Sequence, residues 1–154
     1  MNPKTFYSTV LIAATLVLSS SPFVFANDNL SAREIWQRTH ESGQKALESG
    51  GLDQAEVLFK QALVQAEGLG YAGPLAASLY HLGKVYYLKK QYPEAEANYK
   101  KALEIFDEQT RKNSSVLMQL VQDYAKMLRE LGREAEALEQ EARIRTSIQR
   151  TEIK

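Results

Sequence analysis

The sequence contains no cysteine, which removes disulfides, thiolate metal sites and cysteine nucleophiles in one step. It has no excess charge of either sign: 19 basic and 19 acidic residues give a formal net charge of zero. A chain without a basic excess has little with which to neutralise phosphates, so nucleic acid is not expected as a partner. Histidine occurs only twice, as His40 and His81. Glycine-rich phosphate loops are missing, because Gly50-Gly51 and Gly68-x-Gly70 lack the lysine context of a nucleotide loop and read as helix ends. Nothing resembles a nucleophile elbow. No catalytic site, metal or cofactor is expected.

What is present is globular: 44% hydrophobic and 25% charged residues over 154 positions suit one ordinary domain. The first 26 residues stand apart. Lys4 is their only charge, an apolar stretch runs from Val10 to Leu18, Ser19-Ser20-Ser21-Pro22 interrupts it, and Val24-Phe25-Ala26 supplies a cleavage pattern before the polar Asn27-Asp28-Asn29. This order predicts a signal peptide over 1–26, an exported and most simply periplasmic mature part over 27–154, and a formal mature charge of −1. The alternatives are secretion or an uncleaved N-terminal anchor, since Phe23, Val24 and Phe25 prolong the apolar character. Membrane association is expected only in the anchored case. No cysteine follows the apolar stretch, so lipid attachment there is excluded.

The remainder repeats. At an offset of 40 residues, Gly43 falls on Gly83, Ala55 on Ala95, Glu56 on Glu96, Phe59 on Tyr99, Ala62 on Ala102 and Leu63 on Leu103. A third copy follows at 42: Ala125 takes the place of Gly83, Leu128 that of Tyr86, and Gly132-Arg133 that of Lys90-Gln91. Glu136-Ala137 falls on Glu94-Ala95, while Glu141 stands where Phe59 and Tyr99 stand. Apolar residues recur at three and four within each copy, as in Leu79, Leu82, Tyr86 and Tyr87, then Ala95, Tyr99, Ala102 and Phe106, which marks two helices per copy. Ser31-x-x-Glu34 and Asp53-x-x-Glu56 read as capping boxes, Gly50-Gly51 as a stop and Pro93 as a first-turn residue. The stretch from Gly68 to Pro74 reads as a loop. Small residues at Gly43, Gly83, Ala55 and Ala95 let paired helices approach, with Phe59 and Tyr99 reaching toward the next pair.

This pattern resembles the tetratricopeptide-repeat (TPR) family over about residues 32–145, and its long spacing is most similar to the kinesin-light-chain variety. The resemblance implies an all-α, right-handed superhelical solenoid of three helix-turn-helix repeats, at 32–69, 74–110 and 114–145, with a capping tail at 146–154. It implies a scaffold or assembly factor that holds another protein, and no enzyme. Its first helices should line a concave groove formed by Gln37, His40, Gln44 and Leu47, then Ala77, Tyr80, Lys84 and Tyr87, then Gln119, Gln122, Lys126 and Arg129. Tyrosines suit such a surface because they bury much area at little entropic cost. The lining would be aromatic at its centre and positive toward the C-terminal end, fitting a peptide segment with an acidic group near Lys84, Lys126 and Arg129. His40 and Gln44 stand where the family's carboxylate-clamp members carry a Lys and an Asn. His40 and His81 are one position out of register, so they should not face the same way. Three repeats are near the minimum for stability, and a self-associating homo-oligomer is the alternative function.

Overall fold

The computed structural model describes residues 31–109 and 115–142. The expected signal peptide, the junction at 110–114 and the tail at 146–154 lie outside the described residues, as do the last positions of the third repeat. Every regular element among the described residues is a helix: α1 (Ala32–Glu48), α2 (Leu52–Leu69), α3 (Ala72–Leu88), α4 (Tyr92–Gln109), α5 (Ser115–Glu130) and α6 (134–142). They pair as three antiparallel hairpins. The odd-numbered helices also touch one another, whereas α2 and α4 do not, so the stack curves with α1, α3 and α5 inside. None of the described helices is long and apolar enough to cross a membrane.

Local sequence explains the ends. The Ser31 amide donates to the Glu34 carboxylate at 2.8 Å and the Glu34 amide donates to the Ser31 hydroxyl at 3.3 Å, so the first capping box forms as read. The second does not. The chain leaves α1 through Gly50 and Gly51 and enters α2 directly, which makes Gly51 the N-cap with no side-chain cap. Asp53 therefore sits inside the first turn, where its carboxylate accepts a bond from Lys89 of the next hairpin at 2.7 Å. The expected loop at 68–74 is also shorter than read. Gly68 and Leu69 finish α2, Gly70 caps it in the left-handed conformation at φ 66°, and Gly73 and Pro74 lie in the first turn of α3. The second repeat thus starts at Ala72.

The close helix approach rests on two glycines. A Cβ on Gly43 would lie 2.8 Å from the Phe59 ring, and one on Gly83 would lie 2.7 Å from the Tyr99 ring. Each ring lies across its own hairpin's glycine and reaches the following hairpin: Phe59 stacks on His81 at 5.1 Å and Tyr99 tilts against Tyr124 at 5.6 Å. Phe59, Leu82 and Val85 anchor a first core, and Tyr80, Tyr99, Leu120, Tyr124, Met127 and Leu128 a larger one. In the third hairpin Glu141 cannot fill that place with carbon; Arg129 binds its carboxylate with two bonds of 2.8 and 3.0 Å.

A repeated carboxylate joins successive hairpins on the outer side. Glu56 receives Lys60 and Lys89, each at 2.6 Å, with the Tyr86 hydroxyl at 3.4 Å. Forty residues on, Glu96 receives Lys100 at 2.7 Å, both terminal nitrogens of Arg133 at 2.6 and 2.9 Å, and the Tyr124 hydroxyl at 3.2 Å. These bonds hold both carboxyls down at about 2. The equivalent third position is Leu138, half exposed.

Candidate partner-binding cleft

The inner surface is a stripe along each odd helix, and its register decides which side chains face outward. Helical spacing from Gln44 and Lys84, both half-buried at the surface, runs through Gln37, Glu41, Gln44 and Glu48 on α1. On α3 it runs through Ala77, His81, Lys84 and Leu88, and on α5 through Gln119, Asp123, Lys126 and Glu130. An open cleft of about 520 Å³ spans the three helices, bounded by Gln44, Leu47 and Glu48, by His81, Lys84 and Leu88 over the Tyr80 ring, and by Gln119, Gln122 and Asp123.

Two of the four expected rows fall on this stripe, Gln37 with Ala77 and Gln119, and Gln44 with Lys84 and Lys126, although Ala77 is itself buried. The other two are displaced by one residue. His40 is only 8% exposed and Tyr80 1%, so their rings lie beneath the surface, and Glu41, His81 and Asp123 occupy the outer row instead. Gln122 still borders the cleft. Leu47 also borders the cleft as expected; Tyr87 is half-buried and Arg129 exposed, but neither borders it, and Glu48 and Leu88 complete its edge in this row. Glu41, Glu48, His81, Leu88, Asp123 and Glu130 were the residues missed. The repeat offsets of 40 and 42 gave no signal between them, since Glu41, His81 and Asp123 share those separations with His40, Tyr80 and Gln122.

The histidines contradict their expected separation. His40 Nε2 lies 3.2 Å from His81 Nδ1, and the Gln44 amide nitrogen lies 3.2 Å from His81 Nε2. Being one position apart puts His40 on the side of α1 that faces α3, so the two rings meet across the seam. Trp36 stacks on His40 at 5.0 Å and its indole N–H donates to the Ser78 hydroxyl at 2.9 Å. Burial pushes His81 down to about 4, with the nearby His40 adding to the effect, and lowers His40 as well. Among the described residues no three His, Cys, Asp or Glu converge on a metal site.

The expected positive end also changes. Lys84 lies 3.0 Å from Asp123, whose same oxygen accepts the Tyr80 hydroxyl at 2.8 Å. Arg129 is held by Glu141 and, at 3.2 Å, by Glu134. The Tyr87 hydroxyl donates to Glu130 at 2.7 Å, and burial together with that bond pushes Tyr87 up to about 12. Lys126 lies 5.8 Å over the Tyr87 ring and is the one expected cation with no carboxylate partner among the described residues. Glu48, Gln119 and Gln122 likewise have no hydrogen-bond partner among them.

Two matches to the family model described as tetratricopeptide repeat cover residues 46–108 and 74–147. Together they span two thirds of the chain, across all three hairpins. No curated protein and no solved structure matches the chain. A register of paired helices at offsets of 40 and 42, glycines under aromatic rings, and a family model matching from the first hairpin into the third lead to one conclusion: the chain belongs to the tetratricopeptide-repeat family.

Proposed function

We propose that this chain is an exported scaffold or assembly factor that holds a peptide segment or domain of a partner protein in the cleft across α1, α3 and α5. Tetratricopeptide repeats generally mediate protein–protein interaction and are typically non-enzymatic. The observation that carries the reading is the cleft's supply of unspent groups. Gln119, Gln122 and Glu48 are exposed without partners, and Leu88 is 46% exposed beside them. Concave surfaces that converge several polar groups beside exposed aliphatic side chains are where ligands bind. The repeat length supports the kinesin-light-chain-like variety, and the order of the first 26 residues supports export to the periplasm with cleavage after Ala26.

The test is capture from an envelope extract, with the unaltered protein run beside a Leu88→Arg, Gln122→Trp variant. Both positions are exposed, so the fold tolerates the change while the cleft is filled. Proteins captured only by the unaltered chain support the reading; identical captures contradict it. Terminal sequencing of the chain recovered from cells reads the export step, with Asn27 expected first.

A second reading has its own observation. Leu138 replaces the joining carboxylate of the earlier hairpins and is 51% exposed, and Leu131 in the α5–α6 turn is 39% exposed. Exposed leucines on the last described hairpin support self-association there, and concentration-dependent size abolished by Leu138→Glu would favour it.

A further inference from the structure

We infer that the occupant of the cleft is a basic segment, one that carries lysine or arginine beside an aliphatic residue, and not an acidic one. The inference rests on the cleft being the binding surface and adds the chemistry it selects.

The corrected register carries it. Along the inner stripe the carboxylates are Glu41, Glu48, Asp123 and Glu130, and the ammonium groups are Lys84 and Lys126. With His81 neutral near pH 7, the stripe has four negative charges against two positive ones, and the residues that border the cleft itself have two, Glu48 and Asp123, against one, Lys84. The expectation of a positive surface came from counting Arg129, which α6 engages, and from omitting the row at Glu41 and Asp123 and the row at Glu48 and Glu130. A concave surface with such an imbalance favours partners of the opposite sign.

The individual groups agree with the sum. Lys84 is already neutralised by Asp123 at 3.0 Å and sits 5.9 Å over the Tyr80 ring, so the pair offers an incoming carboxylate no net positive charge. Asp123 holds both Tyr80 and Lys84 through one oxygen, Oδ2, which leaves Oδ1 to accept a further bond. Glu48 borders the cleft, is exposed and has no partner among the described residues. Glu48 and Asp123 thus each offer a basic side chain an acceptor without breaking a bond. Leu47 and Leu88 border the same end and would cover an aliphatic side chain next to that cation, or the methylene stem of the lysine itself. Gln119 and Gln122 on the opposite wall offer amides for the segment's backbone. Lys126 is the one group that would welcome an acid, and it lies over Tyr87, outside the cleft residues.

The experiment uses the full chain and two pools of twelve-residue peptides of matched length and aliphatic content. One pool carries lysine and arginine, the other aspartate and glutamate, and binding is followed by fluorescence anisotropy. Three proteins are compared: the unaltered chain, Glu48→Lys, and Gln122→Trp, which fills the cleft without changing its charge. The inference expects the basic pool to bind, Gln122→Trp to abolish binding, Glu48→Lys to weaken it by about tenfold, and affinity to fall as salt rises. Preference for the acidic pool that is still lost in Gln122→Trp would overturn the basic selection and leave the cleft reading standing. Binding indifferent to Gln122→Trp, or binding by neither pool, would overturn both.

Discussion

His40 and His81, on the first helices of neighbouring repeats, meet nitrogen to nitrogen at 3.2 Å inside a box of Trp36, Phe59 and Tyr80. The Ala77 carbonyl oxygen also lies 3.0 Å from His81 Nδ1, but burial outweighs that acceptor and disfavours a charge on either ring. His81 falls from the ordinary 6.5 to about 4 and His40 is also lowered. Around the pair, Lys84 opposes a charge on His81, Asp123 favours it, and Glu41 favours one on His40. Groups whose folded values are depressed contribute stability above their unfolded value that is lost as pH falls. Unfolding by urea should therefore give a constant stability above about pH 7 and a decline from pH 6.5 toward 4. A His81→Gln variant should lose most of that slope. A flat profile in the unaltered protein would contradict the buried neutral pair.

Tyr99 offers a stabilising change. Its ring is fully buried across Gly83, and its hydroxyl finds no hydrogen-bond partner among the described residues. The same position in the first repeat is Phe59. A buried hydroxyl without a partner costs about 1–3 kcal/mol, so Tyr99→Phe should raise stability by about 1 kcal/mol, read as a higher urea midpoint at unchanged m-value. A loss of stability would show that the hydroxyl is satisfied in solution.

Lys90 sits at φ 60°, where the equivalent turns of the other hairpins carry Gly50 at 80° and Gly132 at 75°. The turn is the same in all three: Gly50 bonds to Leu47, Lys90 to Tyr87 and Gly132 to Arg129 through their amides. A side chain in the left-handed region costs about 1–2 kcal/mol. Lys90 is exposed and Lys89 makes the ion pairs, so Lys90→Gly should stabilise the fold by about 1 kcal/mol, measured by thermal or urea unfolding.

Gly83 works in the opposite direction. A methyl group there would press on the Tyr99 ring at 2.7 Å and the Ala95 carbonyl at 3.3 Å. Neither can withdraw, because the ring is wedged against Tyr80 and Tyr124. Gly83→Ala should destabilise by about 1–3 kcal/mol through overpacking despite the better helix propensity of alanine. Gly73, exposed in the first turn of α3 with open space where a Cβ would stand, is the control, and its alanine variant should be neutral or slightly more stable.

Much of this architecture could be read from the residues, because the repeat constrains them in pairs. Gly43 with Phe59 and Gly83 with Tyr99 are a small and a large residue at fixed separation, and only a close helical hairpin needs both. Ser31 and Glu34 announced a helix start through a bond between near neighbours. The second capping box failed because Asp53 and Glu56 serve Lys89, thirty-six and thirty-three residues away, and a local pattern carries no sign of a distant partner. The cleft was half legible for a related reason. Choosing between Tyr80 and His81 for the outer row depends on a rotation of α3 of roughly 100°, and tyrosine is as good a groove residue as a core residue. Its burial was decided by Asp123, Tyr99 and Tyr124, all outside its own helix.

The central claim, that the inner cleft holds a partner protein, is tested most directly by photocrosslinking from single introduced cysteines, which the cysteine-free sequence makes unambiguous. A benzophenone would be attached at Gln122→Cys in the cleft and, as the reference, at Val57→Cys on the opposite face, where Val57 is 65% exposed. After irradiation in cells, the account predicts a discrete heterologous adduct from position 122 and none from position 57. Adducts of equal yield from both positions, or adducts from 122 made only with a second copy of the chain, would contradict it.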